Sequence, residues 1–348
     1  MPLSAKIGPG CPISKFFNSV DPRLEPRERR IWDLVSRSPL DSLWTRHGIS
    51  VAAVARRTWK SVPEDRLFGH AAELGFYFFF AVFPAILCAS SVLGLAARSA
   101  HQIYDRLLGN LALVIPTAAL GTVVDTFNET TAAASSGKAM IGFIAAIWSA
   151  SAGISAIQDT LNGVYKLQDS RSYFTARIHA IGLTVLFAVI VSLGLASLFG
   201  GDYFANLVLS RIPNSLVQIF AAFGAKCIGW AVALALLVLS FEVIYYWAPG
   251  CRTRRWHWVT PGGTVGILGW LAASFGLRIY LHYFNTFTMT YGSLGAVIIL
   301  LTWFYITGLM ILLGAEINSQ IEAAAAEIRL SAADVSSSSE QEENQEVS

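Results

Sequence analysis

The sequence predicts an all-α polytopic membrane protein with six transmembrane helices, outer-face amphipathic hairpins and both termini in the cytoplasm. Three observations carry that prediction. Of 348 residues, 54% are hydrophobic and 14% charged, whereas an average soluble chain is about 25% charged. The mean hydropathy is +0.52, which excludes a disordered chain and disfavours a soluble enzyme. Six runs match the roughly 20 apolar residues that cross a hydrocarbon layer. The net charge of +2 is too small for a nucleic-acid binder that relies on bulk charge.

In chain order the runs are Leu74 to Ala97, Ala139 to Gln158, Ala180 to Gly201, Cys227 to Trp247, Val259 to Leu277 and Tyr291 to Ala315. Only the fourth holds a charge, Glu242. A soluble core helix would show a polar stripe instead. A seventh candidate, Leu107 to Val124, contains Asn110 and Pro116, and loop charge arbitrates. Six spans place Arg56, Arg57, Lys60, Arg66, Lys166, Arg171, Arg177, Arg252, Arg254, Arg255 and Arg329 inside, with fewer outside, among them Arg98, Arg106, Lys138 and Arg211. A seventh span reverses that balance. The segment therefore reads as an outer hairpin bent at Pro116, with Tyr203 to Phe220, bent at Pro213, as its counterpart.

The flanking segments differ in kind. Residues 1–42 read as a disordered cytoplasmic arm: Pro2, Pro9, Pro12, Pro22 and Pro26 interrupt it, and the apolar core of a signal peptide is missing. Residues 43–70 read as an interfacial amphipathic helix. Leu43, Trp44, His47, Val51, Val54 and Ala55 fall at helical spacing beside Arg56, Arg57, Trp59 and Lys60. That pattern suits either an anionic membrane surface or packing beneath the bundle. Residues 71–321 form the six-helix domain, and the Ser- and Glu-rich residues 322–348 read as a disordered cytoplasmic tail.

Motifs for metal, redox or nucleotide chemistry are missing, so no catalytic residue, metal or cofactor is expected. Cys11, Cys88, Cys227 and Cys251 make no C-x-x-C pair, and the histidines at 47, 70, 101, 179, 257 and 282 have no ligand spacing. Ser136-Gly137-Lys138-Ala139 lacks the upstream glycine and the following hydroxyl of a phosphate loop.

Charged groups at membrane depth call for an explanation. At 1.5 Å per residue, Glu73, Asp159, Glu242 and Glu316 reach about the same inner level, with Asn162 and Asn318 a turn or less away. Two readings are open. Each acid caps a helix end or pairs with Lys166, Arg171 or the Arg252, Arg254 and Arg255 cluster; or Glu73, Asp159, Asn162, Glu242, Glu316 and Asn318 line an inner vestibule for a cation or proton. Arg278 lies near the outer end of its span and snorkels. Gly262, Gly266 and Gly269 form a small-residue packing face. Pro84 interrupts a hydrogen bond in mid-span, whereas Pro261 is a first-turn proline.

Three stretches carry a family resemblance: ELGFYFFFAVFP from Glu73 to Pro84; IWSASAGISAIQDTLNGVYKLQDSRSYF from Ile147 to Phe174; and YYWAPG at Tyr245 with RRWHWVTPGG and YLHYFNTFTMTYGSLGAVIILLTWFYITGLMILLGAEIN, ending at Asn318. From about Trp44 to Ile321 the chain resembles the BrkB/YihY family of bacterial inner-membrane proteins, called virulence factor BrkB and historically labelled ribonuclease BN. The matching positions are Pro84, Asp159, Asn162, Tyr165, Arg171, Pro249, Pro261, Gly262, Tyr291, Gly292, Ser293, Gly295, Glu316 and Asn318, with Gly292 and Gly295 added to the packing or hinge set. The resemblance implies a six-helix fold and an envelope role without fixing an activity.

The expected function is a transporter or flippase-like role for a lipid, ion or small solute. The alternative is a non-transporting scaffold of the envelope. A tRNA-processing ribonuclease has less support, because clustered His and Asp ligands on the water side are not seen. The expected partners are membrane lipids and such a cargo, without nucleic acid; a homo-oligomer is left open.

Overall fold

The computed structural model describes residues 20–37, 49–95, 136–168, 171–211, 215–250, 256–283 and 293–346. Its helices among the described residues are α1 (Pro26–Arg37), α2 (Val51–Glu64), α3 (Leu67–Leu95), α4 (Ser136–Val164), α5 (Tyr173–Arg211), α6 (Ser215–Trp247), α7 (Pro261–Tyr283) and α8 (Ser293–Glu346). The predicted outer hairpin around Pro116 lies outside these residues. Around Pro213, which lies outside these residues, α5 runs on to Arg211 and α6 starts at Ser215, and the two helices pack on each other. The predicted amphipathic stretches on either side are thus the last turns of α5 and the first turns of α6.

Four segments, Tyr173–Leu198, Phe220–Trp247, Pro261–Tyr283 and Leu294–Ser336, are long and apolar enough to cross a membrane. α3 and α4 add 29 residues each. Large apolar side chains such as Phe223, Ile228, Leu268 and Phe275 are exposed on the outside of the bundle, where lipid rather than water is the favourable solvent. The six long helices α3 to α8 alternate in direction. Contacts bring together the starts of α3, α5 and α7, the ends of α4 and α6, and the middle of α8.

α8 is the central helix and packs on α3, α4 and α7 within the bundle. Glycine permits its closest approaches. A Cβ on Gly75 would sit 3.1 Å from the backbone nitrogen of Tyr305, and one on Gly308 3.0 Å from the Leu74 Cβ. At the α7 crossing, a Cβ on Gly262 would overlap the carbonyl oxygen of Gly314. Gly266 faces the Met310 carbonyl at 3.0 Å by the same measure. The predicted small-residue face of this span is therefore where two backbones touch. Gly295 is buried in the first turn of α8, Pro84 lies inside α3, and Gly292 is outside the described residues.

The chain ends depart from expectation. The arm and the tail were both expected to be disordered, but α1 lies within the arm, and α8 runs unbroken through Ile321 to Glu346. The reason is the run Ala323 to Ala326. Alanine is the strongest helix former, and its small side chain leaves room for a partner. Val20, Trp32 and Val35 bury against Ala323 and Ala326, with Leu24, Ile31 and Leu34 around them. Arg57 and Arg27 reach Glu327 at 2.6 and 3.5 Å. The strap continues at Val20, which forms an isolated bridge with Leu167, and at Asp21, whose N–H donates to the Lys166 carbonyl at 3.0 Å.

α2 starts on Ser50, whose hydroxyl accepts the Ala53 N–H at 3.2 Å, an ordinary N-cap. It buries Thr58 and Val62 against the bundle and leaves Trp59 81% exposed. The described part of the predicted interfacial helix 43–70 is thus α2, an elbow and the first turn of α3. Pro63 removes a helical donor near its end. The chain then turns at Arg66, which takes a left-handed φ of 51°, before α3 begins.

Gly262→Ala is expected to cost about 1–3 kcal/mol, since the added methyl meets rigid backbone. Gly276→Ala, with nothing within 4 Å of its Cβ position, should be neutral or slightly stabilising. Thermal unfolding of the two purified variants in one detergent checks the pair.

Candidate functional site

The converging helix ends meet at the start of α7. A helix start leaves backbone N–H groups without helical partners, and burial makes each one costly. Thr260 is the N-cap and Pro261 the first helical residue, so one of those donors is missing by sequence. The Thr260 N–H and hydroxyl both donate to Glu242 Oε1, at 2.8 and 2.9 Å. The Gly262 N–H donates to Asn318 Oδ1 at 2.8 Å, and the Gly263 N–H to Thr260 Oγ1 at 2.9 Å. Asn318 Nδ2 donates to the same Thr260 oxygen at 3.0 Å. With the Thr264 N–H on the Thr260 carbonyl at 2.9 Å, the turn is saturated. Glu242, Thr260 and Asn318 are all buried.

Nearby bonds fix the connection from α6 to α7. Asn162 of α4 accepts from the Gly250 N–H through Oδ1, and the Tyr245 hydroxyl donates to the Ile311 carbonyl at 3.0 Å. Trp256 packs on Tyr246 at 5.1 Å between ring centres. Side chains from α4, α6 and α8 therefore hold the PG and TPGG segments.

A second polar cluster lies at the α2–α3 elbow. Glu316 is 0% exposed. Gln320 Nε2 donates to Glu316 Oε1 and to Ser61 Oγ, both at 2.9 Å. Asp65, at the elbow, pairs with Lys166, and both act electrostatically on Glu316. Glu316 Oε2, Asp65 Oδ2 and Thr58 Oγ1 are buried without a hydrogen-bond partner among the described residues. Unlike the cap, this cluster is polar, buried and incompletely satisfied.

The predicted vestibule set of six divides. Glu242 and Asn318 meet at Thr260, Asn162 holds the adjoining loop, and Glu316 belongs to the elbow cluster. Asp159 is exposed. Glu73 is exposed as well, with His70 Nδ1 at 3.4 Å. Glu73 and Asp159 are thus the exposed members of the set, and Asn162, Glu242, Glu316 and Asn318 the buried ones. Arg171 sits in the turn before α5, and Arg252, Arg254 and Arg255 lie outside the described residues. Thr260, Ser61, Asp65 and Gln320 carry no part in the sequence reading, whereas Lys166, expected as a partner for the inner acids, pairs with Asp65 instead. The Thr-Pro step before two glycines is an N-cap signature that marks Thr260. Asp65 and Lys166 are 101 positions apart, with no local signal to join them.

These features define an integral membrane protein built entirely of helices in its described part. Residues 58–337 match the model of the virulence factor BrkB family, and the chain belongs to that family. It is 31% identical over 254 residues to the "Putative ribonuclease-like protein YfkH" of Bacillus subtilis (strain 168), covering 72% of this chain and 88% of that one. It is 25% identical over 304 residues to a UPF0761 membrane protein of Stenotrophomonas maltophilia (strain R551-3), covering 82% and 66%. A UPF0761 membrane protein of Xanthomonas campestris pv. campestris (strain B100) is 28% identical over 273 residues, covering 78% and 61%. The chain thus spans less than two-thirds of the length of these UPF0761 relatives. No solved structure matches it.

Asn318→Ala removes one acceptor and one donor from the buried cap and leaves the Gly262 N–H orphaned. The expected cost is about 1–3 kcal/mol, read as a lowered unfolding temperature.

Proposed function

We propose that this chain is a multi-pass protein of the bacterial inner membrane that crosses the bilayer six times, keeps both termini in the cytoplasm, and moves a lipid, an ion or a small solute. The observation that carries the proposal is Glu316, an acid in the central helix with no exposed surface and one oxygen without a hydrogen-bond partner among the described residues. A group so costly at membrane depth marks a pathway or relay more often than a structural contact. The alternating directions of α3 to α8 and the basic residues flanking the converging ends support the orientation.

A second reading, an envelope scaffold without transport, is favoured by the saturated cap. Glu242, Asn162 and Asn318 spend their polar atoms on backbone at a helix start and a loop, which is structural work. The ribonuclease-like name belongs to the Bacillus relative. Among the described residues, no group of three or more His, Cys, Asp or Glu is placed to hold a metal ion, so a metal-dependent nuclease gains nothing from the geometry.

The two readings part on Glu316→Gln, which keeps shape and removes ionisation. Lipid and solute profiles of a deletion strain should be restored by the parent chain and not by Glu316→Gln present at equal level in the membrane. Restoration by the amide variant would favour the scaffold and remove the transport proposal.

A further inference from the structure

We infer that the flank of α4 and α5 holds one anionic phospholipid, with its phosphate on the Arg177 guanidinium and its acyl chains along the exposed apolar stripe of α5. The inference goes beyond transport and stands for a transporter and a scaffold alike, because it rests only on the membrane setting of the chain.

A cation is built into an apolar flank. Arg177 stands near the start of α5, inside Tyr173–Leu198, a segment long and apolar enough to cross a membrane. Its side chain crosses to α4, where Nη2 donates to the Trp148 carbonyl at 3.0 Å and Nη1 to Ser155 Oγ at 3.4 Å. The guanidinium carbon lies 4.4 Å from the centre of the Trp148 ring. Both acceptors fall within the apolar run Ala139 to Gln158, and Trp148 precedes the end of α4 at Val164 by about 24 Å of helical rise. The charge is therefore drawn along the membrane-facing flank of α4. A cation in such a place needs a compensating partner.

Charge complementarity names that partner. Both acceptors are neutral, and no carboxylate pairs with Arg177 among the described residues. His179, one place beyond Ile178, shares its hydrogen bond with Gln158 at 2.9 Å and brings no negative charge. A guanidinium does not shed its proton in a protein, so the cost is not relieved by neutralisation. The Trp148 ring offsets only a part of it. Of the five N–H donors of an arginine, the protein engages few, and Nε is buried without a hydrogen-bond partner among the described residues. The terminal nitrogens keep donors to give, in the fork that fits a phosphate.

The surroundings select a lipid over a free anion. Trp148, Tyr173, Phe174 and Ile178 are all exposed around the cation. Phe174, Ile178, Val185 and Val189 recur at spacings of four and seven, which puts these exposed side chains on one face of α5. Ile144 and Trp148, four apart and both exposed, do the same on α4. A free phosphate would give up hydration here with no apolar contact in return. A phospholipid brings the phosphate and the chains together.

The test uses the purified full-length chain in detergent, with native mass spectrometry counting the molecules bound. The probes are dioleoyl phosphatidylglycerol, the diacylglycerol with the same chains, and inorganic phosphate. Phosphatidylglycerol should stay bound at one copy per chain, and the other two should not. Arg177→Gln should weaken its binding by about tenfold or more, and Arg177→Lys by less, since a point charge replaces the fork. Arg66→Gln, which removes an exposed cation at the elbow, should leave it unchanged. If Arg177→Gln fails to fold, the probe series on the parent and the lysine variant carry the test. Equal retention of the diacylglycerol, occupancy by inorganic phosphate alone, undiminished binding in Arg177→Gln, or an equal loss in Arg66→Gln would overturn the site.

Discussion

The start of α7 must be buried, and everything around it follows from making that tolerable. A helix beginning inside a bundle brings unpaired N–H groups into a medium that does not solvate them. Here proline removes one, the Thr260 hydroxyl takes another, and side chains from α6 and α8 take the rest. Glu242 and Asn318 can do so only if α6, α7 and α8 hold fixed relative heights and rotations. That in turn requires the glycine contact between Gly262 and Gly314, since any side chain there would push Asn318 away from its donor. Packing and hydrogen bonding at this joint are one constraint.

Two polar clusters a few residues apart on α8 show opposite treatments of buried polarity. Asn318 spends its amide oxygen on the Gly262 N–H and its amide nitrogen on the Thr260 hydroxyl. Glu316, two positions earlier, is buried with one oxygen that has no hydrogen-bond partner among the described residues. A satisfied network rigidifies the structure around it, whereas a partly satisfied one is a place where a ligand or proton changes the energy most. The structure therefore places its rigid joint and its responsive group on the same central helix, with the α2–α3 elbow against the responsive one.

Much of this was legible in the sequence, for identifiable reasons. Hydropathy and loop charge placed the long helices, because membrane spans are set by composition over about 20 residues. The approximate level shared by Glu242, Glu316, Asn162 and Asn318 followed from helical rise alone. Burial did not: Glu73 and Asp159 are exposed where the other four are buried, and a one-dimensional depth count carries no phase. The tail was misread because the Ser- and Glu-rich composition beyond Ser331 outweighed the short Ala323 to Ala326 run. That run depends on Trp32 and Val35, almost 300 residues away in the chain. The pairing of Lys166 with Asp65 was invisible for the same reason, since each stands in a turn and only the fold brings them together.

The central claim, that Glu242 and Asn318 act jointly on Thr260 to hold the α7 start, is tested most directly by a double-mutant cycle. Glu242→Leu and Asn318→Leu, alone and together, are compared by unfolding in one detergent. The account expects the double variant to cost less than the two singles combined by about 1 kcal/mol or more, because either substitution already breaks the shared cap. Additivity within about 0.3–0.5 kcal/mol would contradict it, and the two side chains would then be independent helix contacts.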